Sequence, residues 1–134
     1  MATTATSKDG KDLQYAGVAQ GAHTPGPWRV DPKAAFRVVA GVDDTVANTG
    51  CQSDLRDCWE HNATLIAAAP DMLEALRAHA EWHRKDSEGP QYPAGVTRDD
   101  GGEAIWLGWW NDQLALWVRA VELTAAAIAK AEGH

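Results

Sequence analysis

The chain has few cysteines and no long apolar run. Its only cysteines, Cys51 and Cys58, are too few for a disulfide framework and too widely spaced for a zinc knuckle, so reduced thiols are expected. No apolar run approaches the roughly 18–20 residues that a membrane span requires. The N-terminus lacks the charged start and apolar stretch of a secretory signal. We therefore expect a cytoplasmic protein with no membrane partner.

Basic residues are also scarce. Twelve lysines and arginines stand against 19 aspartates and glutamates, which gives a formal net charge of −7. Non-specific binding to nucleic acid or to an anionic membrane requires a positive field, so no direct nucleic-acid binding is expected. The acidic balance suits a basic partner surface, including that of a protein that itself binds DNA or RNA. A length of 134 residues fits one domain with a core of its own.

The pattern along the chain predicts an α+β domain over residues 23–134, preceded by a flexible arm at 1–22 that has few apolar side chains. Residues 28–30, 35–40 and 45–49 are extended in pattern and separated by turn signals. Their connections are too short for parallel crossovers, so they predict a three-stranded antiparallel meander. A sheet of this kind needs a cover for its apolar face.

Two helices joined at Pro70 are predicted to supply that cover. The first begins at Ser53 or Asp54, either a good N-cap, and ends before the proline. The second covers about residues 70–86, because proline is favoured in the first turn of a helix. Four side chains are expected to cover the sheet, with Leu76 near the middle of the apolar stripe of the second helix: Leu65, Ile66, Leu73 and Leu76.

An irregular acidic connection at 87–102 leads into a predicted helix at 103–132. Between residues 86 and 112 there are six acids and one base, and loops of this length are usually functional or disordered. The main apolar stripe of the long helix contains Trp106, Trp110, Leu114, Trp117, Val121, Thr124 and Ile128, and a second contains Leu107, Val118 and Ala125. This arc is wider than one core face. A homodimer is therefore predicted, with Trp117, Val121, Leu114 and Ile128 as oligomerisation residues, against an intramolecular three-helix arrangement.

The sequence contains no constellation typical of an enzyme. It has no nucleophile elbow and no glycine-rich phosphate loop. Cys58 and His61 form only a weak pair. His79 and His83 have metal-ligand spacing but no third ligand nearby, so one half-buried and one solvated histidine is the favoured interpretation. We expect no catalytic residues, no metal and no cofactor.

The acidic connection and the tryptophans beside it supply the candidate binding residues. Trp109 lies off the main stripe, where it is predicted to be exposed or to face a partner. Trp106 and Trp110 are more simply explained as core or dimer contacts. A nucleotide pocket built from indoles and Arg37, Arg56 or Arg98 is an alternative. The full set of candidate binding residues is Trp109, Trp110, Trp106, Asp99, Asp100, Arg98 and Tyr92.

Two segments give the chain a family likeness. HTPGPW at 23–28 and NATLIAAAPDMLEAL at 62–76 resemble small uncharacterised proteins of tailed bacteriophages and prophages, in which a TPGPW opening, a short sheet and an NARLIAAAPxLLEAL helix pair recur. Thr64 departs from the arginine usual in that group. The resemblance covers about residues 23–80 and implies a phage accessory protein made in the host cytoplasm.

Together these features lead to three functional hypotheses. The first is a non-enzymatic phage accessory protein that binds a host protein, as an inhibitor of a defence system or a regulator. The alternatives are a protein that binds or sequesters a nucleotide signal, and an assembly protein that acts through the long helix.

Overall fold

The structure is a computed structural model, and it describes residues 23–50 and 58–134. It confirms the α+β class, with a three-stranded antiparallel sheet, two helices joined at a proline and a long C-terminal helix. The predicted arm at 1–22 and the predicted N-cap at Ser53 or Asp54 lie outside the described residues. The elements are β1 Trp28–Asp31, β2 Ala34–Ala40, β3 Asp44–Asn48, α1 Trp59–Ala67, α2 Ala69–Glu88 and α3 Glu103–Ala131.

The sheet has the strand order β1-β2-β3. Val38 at its centre pairs with Val30 on β1 and with Ala47 on β3, and its side chain is fully buried. The turn after β2 begins at Gly41, whose φ of 55° favours glycine. The last three residues of β2, Val38, Val39 and Ala40, are all buried, and the pairing of β2 with β3 shifts register between Val38 and Val39.

At the end of β1, Asp31 is a buried carboxylate with a complete set of partners. It accepts the backbone N–H of Lys33 at 3.0 Å and the Nε–H of Arg37 at 2.8 Å. These two hydrogen bonds, the backbone one first, hold the pKa of the Asp31 carboxyl below its ordinary value of 3.8. Asp31 and Arg37 thereby fasten the β1–β2 turn.

Helix α1 is the element that covers the sheet. Ala63 and Ala67 are buried against Val38, and small side chains at these positions let the helix approach the strands closely. Around this cluster pack Trp28, Val30, Val46, Ala47 and Ile66. Burial of apolar area between α1 and the sheet is the main stabilising term in this half of the molecule.

The prediction that Leu65 and Leu76 cover the sheet is wrong. Leu65 is 51% exposed, because α1 meets the sheet with Ala63, Ile66 and Ala67 instead. Leu76 is 65% exposed, because α2 packs mainly on α3. The inner face of α2 has small side chains at Ala75 and Ala78, with Trp82 reaching α3. The predicted stripe instead lies on the flank and outer side of that helix. Helical periodicity alone did not show which face of α2 meets a neighbouring element.

The joint between α1 and α2 is where the two family-like segments meet. Helix α1 ends at Ala67, slightly earlier than predicted, and α2 begins at Ala69 with Pro70 in its first turn. Gly26 lies directly against this proline: a Cβ at position 26 would be 2.8 Å from the Cβ of Pro70. The opening segment is closed by the indole N–H of Trp28, which donates to the carbonyl of Thr24 at 3.0 Å.

Helices α2 and α3 form an antiparallel pair. At one end Lys130 Nζ lies 2.6 Å from Asp71 Oδ2, and farther along His79 Nε2 lies 2.9 Å from the hydroxyl of Thr124. The buried residues of α3 recur every seven positions, at Gln113, Ala120 and Ala127. Within the described ranges, no helix combines the length and the apolar character that a bilayer crossing requires.

Candidate functional site

The most prominent surface feature is a row of exposed apolar side chains along α3. Their spacing alternates between three and four residues, as in a coiled-coil seam, and Thr124 completes the row. Each is between 42% and 51% exposed. We call this row the outer stripe: Leu107, Trp110, Leu114, Trp117, Val121 and Ile128.

The outer stripe is exposed in the single chain, so Trp110 and Trp117 are not core residues there, and their role as dimer contacts stays a prediction. The exposed fractions leave roughly 600 Å² of apolar side chain on this row, at the upper end of what monomeric proteins expose as one patch. Met72 precedes His79 by seven residues, which places it on the flank of α2 that faces Thr124. Met72 is 41% exposed and adds to the same apolar surface.

At the start of α3 the structure brings three of the predicted binding residues into one stack. The guanidinium carbon of Arg98 lies 3.6 Å from the centroid of the Trp106 ring. Trp106 in turn stacks on Trp110, with centroids 5.8 Å apart and ring planes 7° from parallel. Glu103 completes the group, its Oε2 being 3.7 Å from Arg98 Nε. The stack places an exposed cation, held over an indole face, at the end of the outer stripe.

The connection before α3 holds Arg98 in place through its backbone. The carbonyl of Thr97 accepts the N–H groups of Asp100 at 3.2 Å and Gly102 at 2.9 Å. A Cβ at Gly102 would lie 2.4 Å from that carbonyl oxygen and 2.7 Å from the ring of Tyr92. Tyr92 is therefore packed against the connection as a structural contact. Asp99 and Asp100 are exposed.

Trp109 lies off the outer stripe, as predicted, and its role in facing a partner stays a prediction. Its side chain is half-buried rather than exposed, and its indole nitrogen is shielded from solvent with no hydrogen-bond partner among the described residues. It contacts Trp110, with ring centroids 6.4 Å apart. Trp109 thus supports the aromatic stack from the inner side of α3.

A cleft between α2 and α3 adjoins the stack, and its residues come from both helices. It has a volume of about 230 Å³ and is lined by Trp82, Asp86, Trp110, Gln113, Leu114 and Trp117. Trp82 and Trp117 form one wall, with centroids 4.9 Å apart and planes inclined by 54°. The sequence analysis missed Trp82, Asp86 and Gln113. The seven-residue spacing from Gln113 to Ala120 and Ala127 was a signal that this glutamine is inward-facing.

Other candidates from the sequence are separated in the structure. His79 is half-buried, whereas His83 is exposed, so the two imidazoles have different surroundings. In the described part of the chain, no group of three or more metal-ligating side chains lies together. Arg37 is bound to Asp31 on the sheet, away from the indoles of α3. Arg56 lies outside the described residues, and Cys58 is an exposed free thiol.

Comparison with known proteins extends the family likeness over nearly the whole domain. The sequence model of a family described as Salmonella phage P22 protein Y8K6 matches residues 19–134. The chain belongs to this phage protein family. The match confirms the predicted phage context and includes the acidic connection and α3, which lie beyond residues 23–80. Searches of curated proteins and of solved structures found no match to the chain.

Proposed function

We propose that this phage protein acts without catalysis, in the host cytoplasm, by binding a host protein through the outer stripe of α3. Such binding would inhibit a host defence system or regulate the host protein. The observation that carries the proposal is the row of half-exposed leucine, tryptophan, valine and isoleucine side chains on one face of a 29-residue helix. Large exposed apolar patches of this kind mark interaction sites.

The apolar area of the outer stripe sets an upper limit on the hydrophobic contribution to binding. Burial of roughly 600 Å² at about 25 cal/mol per Å² gives on the order of 15 kcal/mol of gross stabilisation. Loss of translational and rotational freedom offsets an estimated 4–15 kcal/mol of this. Trp110 and Trp117 are suited to be the strongest contributors, since tryptophan is enriched among the residues that dominate binding energy.

The charge of the chain favours a basic partner. The formal net charge is −7, and residues 86–112 contain six acids and one base, so a positive partner surface would be drawn toward this end of α3. Long-range attraction raises the association rate more than the final affinity. We therefore expect binding to be faster at low ionic strength.

Site-specific photo-crosslinking tests the proposal. A photoreactive residue at position 114 lies in the middle of the outer stripe, and one at position 42 is the matched control, because Val42 is apolar, 87% exposed and on the β2–β3 turn. In host lysate, position 114 should yield one stoichiometric adduct that position 42 does not. No adduct from either position, or the same adducts from both, would contradict the proposal.

A second copy of the chain is the alternative occupant of the outer stripe. Its three-and-four spacing, from Leu107 to Ile128, is the spacing that lets two helices pack along a continuous seam. Sedimentation of the purified protein distinguishes a second copy from a host protein as the occupant. A dimer that Val121→Glu dissociates and Val42→Glu leaves intact would establish self-association, and a monomer at all concentrations would leave the face to a host protein.

A further inference from the structure

We propose that the cleft between α2 and α3 is a binding site for the guanidinium group of an arginine side chain. The arginine would be carried by the host protein, so the inference deepens the proposed function and rests on it for the identity of the carrier. The cleft itself can be tested with a short peptide.

Three indoles line the cleft, and we call them the cage. Trp82 and Trp117 contact each other, inclined by 54° at a centroid distance of 4.9 Å, and Trp110 lies seven residues before Trp117 on the same face of α3. A cation held over indole faces within about 6 Å of a centroid is attracted by the ring quadrupole. Three indoles around about 230 Å³ leave room for one planar side-chain head group.

Two polar groups in the cleft have no partner of their own. Asp86 is exposed at the edge of the cleft, and no basic side chain of the described residues forms an ion pair with it. Gln113 is only 3% exposed, and its buried Oε1 accepts no hydrogen bond from any described residue. Buried acceptors are normally satisfied, and leaving one unsatisfied is costly. The carboxylate beside three indoles favours a cation, and the Gln113 amide, once its oxygen turns toward the cleft, favours a cation that donates N–H bonds.

These requirements distinguish among cations. A quaternary ammonium group would fit the indoles but has no N–H to donate to Gln113. A lysine ammonium donates, but it is a compact and strongly hydrated charge. A guanidinium is planar, stacks on aromatic faces and offers five donors in a fixed arrangement. Arginine is therefore the ligand that uses the indoles, the carboxylate and the amide together.

The chain already contains one such arrangement beside the cleft. Arg98 lies 3.6 Å from the centroid of Trp106, with a carboxylate of Glu103 at 3.7 Å. Trp106 stacks on Trp110, which is also a wall of the cleft. The filled arrangement has an indole, an acid and an arginine. The cleft has the indoles and the acid, and the arginine is the missing component.

Nuclear magnetic resonance of the tryptophan indole N–H groups tests the assignment with the full chain. The probe is the peptide acetyl-Gly-Arg-Gly-amide, and the comparison peptide has citrulline, which has nearly the same shape without the charge. We expect the arginine peptide to shift the indole signals of Trp82, Trp110 and Trp117 saturably, with millimolar affinity. The citrulline peptide should bind at least fivefold more weakly. Equal binding of the two peptides, or no saturable shift, would overturn the proposal.

A pair of variants separates the cleft from general acidity. Asp86→Asn removes the carboxylate at the cleft and should weaken the arginine peptide about threefold to fivefold, as expected for a partly exposed ion pair. Asp112→Asn is the matched control, because Asp112 is an exposed acid of α3 that does not line the cleft. It should leave the affinity unchanged. Equal effects of the two substitutions would overturn the assignment to the cleft.

The outcomes also keep this inference apart from the proposed function. Saturable arginine binding without a host adduct at position 114 would support the cage and count against host-protein binding. A host adduct at position 114 without peptide binding would support host-protein binding and count against the arginine site. If the arginine came from a second copy, Asp86→Asn would change the sedimentation of the protein alone; we expect no change, and a change would overturn a host carrier.

Discussion

Replacing Gly26 by alanine tests the contact between the opening segment and the proline joint. The added Cβ would lie 2.8 Å from Pro70 Cβ and 3.3 Å from its Cγ, against an optimal carbon–carbon separation of about 3.5–4.0 Å. Pro70 is in the first turn of α2, and its ring has little freedom to move aside. The opening segment or the helix must shift instead.

The expected magnitude follows from two opposing terms. Overpacking of this kind costs typically about 1–3 kcal/mol. Alanine also lowers the entropy of the unfolded chain relative to glycine, which stabilises by about 0.4–1 kcal/mol. The net destabilisation should be about 1–2 kcal/mol. For a domain of this size, that lowers the midpoint of thermal unfolding by about 4–10 °C.

Gly108 provides the matched control, because it is the same substitution with the opposite expected sign. It lies inside α3, and a Cβ there would meet nothing within 4 Å. Alanine is favoured over glycine in a helix interior by about 1 kcal/mol. Circular dichroism melts of the three proteins should rank Gly108→Ala above the parent and Gly26→Ala below it. A Gly26→Ala protein as stable as the parent would refute the close contact with Pro70.

Three further predictions concern the sheet and the connection before α3. The folded-state pKa of Asp31 is lowered, so its contribution to the free energy of unfolding is present above about pH 4 and is lost as the pH falls through the folded value. The midpoint of thermal unfolding, measured from pH 6 to pH 2, should therefore fall less steeply for Asp31→Asn than for the parent. Val38→Ala, at a fully buried position, should cost about 2 kcal/mol in urea unfolding, from lost burial and the cavity left behind. Gly102→Ala places a Cβ 2.4 Å from a backbone oxygen, so the connection must move; we expect Arg98 to leave Trp106, seen as a changed indole signal of that residue.

The fold was predictable where local signals decide it. The turn at Gly41 and the break before Pro70 set the element order from single residues. The long helix was predicted at 103–132 and is observed at Glu103–Ala131. The turn and the break depend on backbone conformations that glycine permits and proline imposes.

The burial of helix faces was not predictable in the same way. The apolar arc of α3 covers two adjacent stripes, and hydrophobicity favours the one with Leu114 and Trp117. The structure buries a third row, which contains Gln113, Ala120 and Ala127 and belongs to neither predicted stripe, since the small alanine side chains let α2 approach closely. Which row of side chains is buried depends on the neighbouring helix. A neighbour that is distant in sequence leaves no periodic signal in α3 itself.

The candidate site was likewise predictable only where contacts are local in sequence. Trp106 and Trp110 are four residues apart on one helix, so their contact follows from helical geometry. The addition of Trp82 and Asp86 depends on the antiparallel register of α2 against α3. That register is set by the length and path of the connection at 89–102, which sequence patterns did not fix.

The antiparallel α2–α3 pair also determines the reach of the molecule. The C-terminal end of α3 lies beside α1, where Gly133 is close to Thr64, and 29 residues extend roughly 44 Å from there to the other end. The Arg98 stack is therefore at the far tip of a helical hairpin, and the opening segment at residue 23 is at the base. The outer stripe runs from this tip toward the base, from Leu107 to Ile128. A partner that covers it must therefore reach along roughly 30 Å of the hairpin, and a partner that meets only the tip would leave Val121 and Ile128 exposed.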